Sequence, residues 1–411
     1  MADQMAEVRK LVLEGIARRM FPGAVVYVSQ HGRILMHEAF GSITYEASAR
    51  AVRRDDLFDL ASLTKLYTAA LVLRRVEQGA CRLDDPVRKH VAEVEAEWTL
   101  SDLLAHRTGT TADLLGEAVR MGIGPCEAGQ EKALWRVIFG CKSVVPLEAG
   151  KSHYSDVDFL LAQAVCVRSW PSAKTECRIP DARCQIGGET EEKGAPGCES
   201  AWATSHTGYG LDELMAAELF RPLGLRETGF CPGDPSRCVP TEIDDRWRRR
   251  LVVGEVHDEM AATLGGIAGH AGLFATAADV GRFCEMWLRV ERPRSRGRGR
   301  PGAVPQHPTP NIQRPATCGG SPLSGPAREI ALAPHSADFG LGWRLCNASF
   351  FPALARFGAV GHLGFTGTSA FLFPRSQTVF VLLSNRVYPR RDAAPSRLPL
   401  LAEIGATMAG T

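Results

Sequence analysis

Ser62 and Lys65 stand three residues apart in Leu57-Phe58-Asp59-Leu60-Ala61-Ser62-Leu63-Thr64-Lys65, and Leu66 to Val76 follows with helical apolar spacing. At a helix start, positions i and i+3 share a face, so Ser62 Oγ falls beside Lys65 Nζ. A serine hydroxyl becomes a useful nucleophile once a neighbouring base takes its proton, and a partly desolvated lysine amine is such a base. The serine amide, at the helix's positive end, is placed to stabilise an oxyanion. Of eight lysines only Lys65 has a serine three residues before it. Chance supplies such a pair about every second time in a chain like this, so it needs company.

Two further groups supply it. Tyr154-Ser155-Asp156 precedes a helical stretch, Val157 to Val167. A tyrosine at a helix start can point its phenol into a cleft. An ammonium beside it lowers its pKa and lets it shuttle a proton. Taken singly, a tyrosine there is more often a packing residue. Near the other end, Gly361-His362-Leu363-Gly364-Phe365-Thr366-Gly367-Thr368 leads into a strand. Its small residues let a substrate backbone lie along the strand edge. A lone histidine is more often structural, yet this glycine density is unusual for a packed core strand.

The elements that must position these groups come from both ends of the chain. Met5, Val8, Val12, Ile16 and Met20 recur every three or four residues, a helix that Pro22-Gly23 ends. Ala24 to Ser29 and Arg33 to Phe40 form a hairpin around His31-Gly32. Thr368 to Phe373 and Thr378 to Leu383 pair around Pro374-Arg375-Ser376-Gln377, and a last helix runs from Leu398 to Met408. The pattern predicts a single α+β domain. Its antiparallel sheet (about 1–60 and 265–411) is flanked by terminal helices, and a mainly helical region (about 61–264) is inserted.

Two segments stand apart. Residues 168–206 lose periodicity and gather Pro, Gly, Glu and three cysteines, the composition of a disordered insertion. Residues 292–335 open with arginines at 292, 294, 296, 298 and 300 and read as an Arg/Pro/Gly-rich loop. The arginine run is a solvated linker sooner than a polyanion grip, and Cys177, Cys184 and Cys198 fit no common zinc spacing.

The 411 residues are 45% hydrophobic and 23% charged, with a formal net charge of +2. That balance gives no general attraction to nucleic acid or anionic membranes. No stretch approaches the roughly 20 apolar residues of a membrane span. The first twenty residues carry charges throughout and are an amphipathic helix, not a secretory signal. The twelve cysteines show no C-x-x-C pair. Reduced thiols in a cytoplasmic protein are therefore expected, or a periplasmic or secreted one if the true start lies upstream.

The ordered trio S-x-x-K, Y-x-[ND] and [KH]-x-G resembles the serine beta-lactamase and penicillin-binding-protein superfamily, specifically its class C beta-lactamase-like branch. The segments 58–65, 103–109, 265–274 and 364–369 are similar to family segments as well. The resemblance implies the beta-lactamase/transpeptidase-like fold and an acyl-enzyme mechanism without metal or other cofactor. It makes Ser62 the nucleophile, Lys65 its helper in deprotonation, and Tyr154 the general base and acid, positioned by Lys65 and Asp156. It places His362 on the strand bordering the cleft with Gly364, and gives the oxyanion hole to the amides of Ser62 and Phe365. His106 and His270 read as structural, and His257-Asp258-Glu259 as loop structure. Two departures turn expectation from beta-lactams toward esters or peptides: Asp156 for asparagine puts a negative charge near the site, and His362-Leu363-Gly364 for Lys-Thr-Gly removes a permanent positive charge and a hydroxyl.

The expected function is a serine hydrolase of small-molecule esters, amides or peptides. Alternatives are a D-Ala-D-Ala carboxypeptidase or other D-amino-acid peptidase of the same fold, and a catalytically inactive binding protein.

Overall fold

The computed structural model describes residues 2–170, 210–288, 321–393 and 395–409. The chain starts with helix α1 (Ala2–Ala17), then strands β1 (Gly23–Gln30) and β2 (Arg33–Gly41), joined through His31 and Gly32, both at positive φ. A mainly helical stretch follows, containing α2 (Thr64–Glu77) and α3 (Asp156–Arg168). The chain then returns through α4 (Ala277–Leu288), α5 (Gly325–Leu332), β3 (Arg344–Leu345), β4 (Val360–Leu363), β5 (Ser369–Phe373), β6 (Thr378–Ser384) and α6 (Leu398–Ala409).

The six strands form one antiparallel sheet in the order β2-β1-β6-β5-β4-β3, so the two ends of the chain meet where β1 pairs with β6, Ala24 opposite Ser384. Alternation along β1 explains the layers. Ala24, Val26 and Val28 point into one core with Met5, Val8, Leu401 and Ile404 of the terminal helices. Val25 and Tyr27 point into the other, with α4 and the helical region behind it. Each fully buried aliphatic side chain contributes about 1.5–3 kcal/mol, so this double burial fixes the strand register firmly.

The architecture matches the expected α+β plan. One element differs. The expected 292–335 loop includes a helix over its described end, Gly325–Leu332, because the Ser324 side chain accepts from the Ala327 N–H and Pro326 sits in the first turn. The rest of that segment, the 171–206 part of the expected insertion, and Cys177, Cys184 and Cys198 lie outside the described residues.

Candidate active site

Ser62 lies on a single 3-10 turn, Ala61–Leu63, immediately before α2 and not on the helix itself. Ala61 has φ +45°, left-handed for a residue with a Cβ, and its N–H donates to Asp59 Oδ1 at 2.8 Å. Such a conformation costs on the order of 1–3 kcal/mol and persists only where neighbours over-determine it. They do. Thr366 Oγ1 donates to the Asp59 carbonyl at 2.7 Å and Thr368 Oγ1 to the Leu60 carbonyl at 2.9 Å. Gly364 allows that approach: a Cβ there would stand 2.0 Å from Thr368 Oγ1 and 2.5 Å from the Leu60 oxygen. The turn carrying Ser62 is thus pressed against the β4–β5 connection. Among the described residues, neither the Ser62 nor the Phe365 amide N–H has an acceptor.

Lys65 is fully buried. Its Nζ is 2.7 Å from Asp156 Oδ1 and donates to Ser62 Oγ at 3.0 Å and to the His270 carbonyl at 3.1 Å. An ammonium has three N–H donors, and all three are used. Burial pushes the Lys65 pKa down, but Asp156 and Tyr154 together outweigh it and hold the amine charged above its ordinary range. This corrects the expectation of a lysine poised as a free base. Asp156 is the first residue of α3, and Ser155 caps the helix by accepting from the Val157 N–H.

Asp156, Asp258 and His270 bring their potential ligand atoms within 4.8 Å of one another, and His270 Nε2 lies 2.9 Å from Asp258 Oδ1. That donor set suits a divalent cation. The charge it already faces is Lys65, which bonds Asp156; against desolvation, His270 and then Lys65 hold the Asp258 carboxyl below its ordinary range. Asp258, expected to serve loop structure, both caps the helix at Glu259–Thr263 and joins this group.

Tyr154 is 37% exposed and faces the cleft. Its ring lies 5.1 Å from Lys65 Nζ and 4.5 Å from the His106 ring. Part of the side chain is exposed, but desolvation at the phenol raises its pKa, and although Lys65 and Ser62 pull it down, the net direction is up. The expected depression is therefore corrected: desolvation and the Asp156 charge outweigh the ammonium. His106 supports the ring from a fully buried position, with Nδ1 2.9 Å from Asp158 Oδ2, and burial with Lys65 lowers its pKa to about 3. His362, on β4, is buried with Nδ1 3.1 Å from the Leu363 carbonyl. Burial, Lys65 and His106 keep it well below the ordinary histidine range, hence neutral.

All seven residues expected at the site converge. Ser62, Tyr154, His362, Gly364 and Phe365 line one cleft of about 330 Å³, with Lys65 and Asp156 beneath Ser62. Sequence reasoning missed Arg344, Arg386 and Arg397, which line the same cleft. Arg386 follows Leu383-Ser384-Asn385 at the end of β6, but no motif marks any of the three. An arrangement of this kind can deprotonate a serine, attack a carbonyl and protonate a leaving group.

A family model described as Beta-lactamase matches residues 8–169 and 203–403. A relative from Escherichia coli O157:H7 named "Putative D-alanyl-D-alanine carboxypeptidase" is 26% identical over 94% of this chain and 83% of its own length. Among solved structures, EstCE1, a hydrolase with promiscuous acyltransferase activity, aligns at TM-score 0.64 and 18% identity, covering 98% of each chain. A class C beta lactamase from Rhodobacter sphaeroides aligns at TM-score 0.58 and 18% identity, covering 98% of this chain and 97% of that one. These structural likenesses concern the fold. Among the described residues no helix is long and apolar enough to cross a membrane.

Proposed function

Because the chain belongs to the beta-lactamase family, we propose that it is a serine hydrolase that cleaves an ester or amide through an acyl group carried on Ser62. The observation that carries this reading is the short line Ser62 Oγ, Lys65 Nζ, Asp156 Oδ1, with spacings of 3.0 Å and 2.7 Å.

Lys65 already has three protons, so it takes Ser62's proton as it passes one to Asp156. The Ser62 oxygen adds to the substrate carbonyl, and the free amides of Ser62 and Phe365 receive the oxyanion. Tyr154, whose raised pKa keeps it protonated, gives its proton to the departing alcohol or amine. The phenolate left behind then draws a proton from water, which attacks the acyl carbonyl. As Ser62 leaves, Asp156 returns its proton to Lys65 and Lys65 one to Ser62. His362, neutral and buried, shapes the cleft wall without supplying charge.

A second reading, a D-amino-acid carboxypeptidase, draws support from the name given to the 26% identical relative. The convergence of Ser62, Lys65 and Tyr154 favours either hydrolase over an inactive binding protein. The test is turnover of 4-nitrophenyl butyrate and of a D-Ala-D-Ala peptide beside Ser62→Ala. Turnover lost in the variant supports the reading, and parent and variant turning over alike on both would defeat it.

A further inference from the structure

The two peptide groups whose N–H is free for an oxyanion both have their oxygen bonded, but by different donors. In Ala61–Ser62 the carbonyl accepts the Thr64 N–H as α2 begins. In Gly364–Phe365 it accepts the Gly367 N–H at 3.2 Å and Arg397 Nη2 at 2.8 Å. This second peptide is trans, so its oxygen and its N–H point in opposite directions. The guanidinium therefore grips it at the end away from the Phe365 N–H.

Arg397 stands just before α6, where its carbonyl accepts the Leu401 N–H, and its Nη2 also donates to the Thr368 carbonyl at 3.1 Å. Neither side-chain bond is needed to satisfy its acceptor. The Gly364 oxygen keeps the Gly367 N–H, and the Thr368 oxygen keeps the Gly364 N–H at 2.8 Å. Arg397 is 6% exposed, its Nε is buried without a partner, and among the described residues no carboxylate offsets its charge. An unpaired buried guanidinium is expensive to keep, and a neutral donor could tether two carbonyls equally well. What the charge adds is polarisation. A charge-assisted bond at an amide oxygen draws electrons from its nitrogen and strengthens the N–H as a donor, by roughly 10–30% per bond in a hydrogen-bonded chain. It also fixes positive charge near the place where negative charge develops in the transition state.

We propose that Arg397 is a positioning residue of the hydrolytic reaction: it holds and polarises the Gly364–Phe365 peptide, so that the Phe365 N–H meets the oxyanion as a charge-assisted donor. This rests on the hydrolase reading and gives the hole's second donor a support that the first takes from its helix.

The test compares 4-nitrophenyl butyrate with its thionoester, in which C=S replaces C=O. Sulfur accepts hydrogen bonds poorly, so the ratio of the two kcat/KM values reports the oxyanion donors. Arg397→Met removes the charge and leaves an apolar side chain, a change that buried positions tolerate, while Arg397→Gln keeps a neutral donor. Losing an oxyanion donor outright costs about 10²–10³-fold, so weakening one is expected to lower the oxygen-to-sulfur ratio about tenfold in both variants. Arg397→Lys keeps the charge and is expected to stay within about threefold of the parent ratio. The ratio does not depend on how much of the enzyme is folded, so a merely structural role lowers both rates together and leaves it unchanged. An unchanged ratio in Arg397→Met or Arg397→Gln, with turnover still lost in Ser62→Ala, overturns the role of Arg397 alone. Turnover of both esters that survives Ser62→Ala overturns the hydrolase reading, and this proposal with it.

Discussion

The floor and the rim of the Ser62 cleft treat charge in opposite ways. On the floor, the buried Lys65 ammonium gives all three protons to Asp156, Ser62 and the His270 carbonyl, and Asp258 is closed by His270. At the rim, three guanidiniums have no carboxylate partner among the described residues. A buried charge costs several kcal/mol unless paired, so the floor is closed on itself, whereas Arg344 and Arg386 at the rim keep part of their surface exposed. The paired set holds a proton path in a fixed geometry.

Ser62→Ala breaks the floor most severely, with kcat/KM for 4-nitrophenyl butyrate expected to fall by about 10³-fold or more in a steady-state assay. Asp156→Asn removes the carboxylate that keeps Lys65 charged. With Tyr154 left alone against burial, the Lys65 pKa falls, so the amine loses its proton at lower pH. We expect kcat/KM at pH 7 to drop about 10–100-fold, and the limb of the pH–rate profile that reports Lys65 to move to lower pH. Overlaid profiles for parent and variant would remove Asp156 from the proton path.

Gly364→Ala tests the clamp between floor and rim, because its Cβ meets Thr368 Oγ1 and the Leu60 carbonyl. A cost of about 1–3 kcal/mol is expected in urea unfolding, together with slower turnover as the Ser62 turn shifts.

The floor was legible in the sequence and the rim was not, for physical reasons. Ser62 and Lys65 sit three apart on consecutive turns, and Tyr154 and Asp156 flank a helix cap, so short-range spacing encodes their geometry. The strands could be read because β1 and β6 are buried on both faces and bounded by clear turns. Arg344, Arg386 and Arg397 meet only through the tertiary fold, from β3, the end of β6 and the approach to α6, and arginine is common in this chain. Charge states were also beyond spacing. Whether Lys65 is a base depends on a 2.7 Å contact with Asp156, and whether Tyr154 is acidic depends on how burial and Asp156 weigh against Lys65. The left-handed Ala61 likewise comes from Asp59, Thr366 and Thr368, two of them some 300 residues downstream.

The most direct test of the central claim is mass analysis of protein quenched during turnover of 4-nitrophenyl butyrate, followed by mapping of the modified peptide. The account predicts one butyryl group on the peptide containing Ser62, absent in Ser62→Ala and enriched in Tyr154→Phe if deacylation needs the phenolate. Turnover with no adduct, or an adduct on another residue that persists in Ser62→Ala, would contradict it.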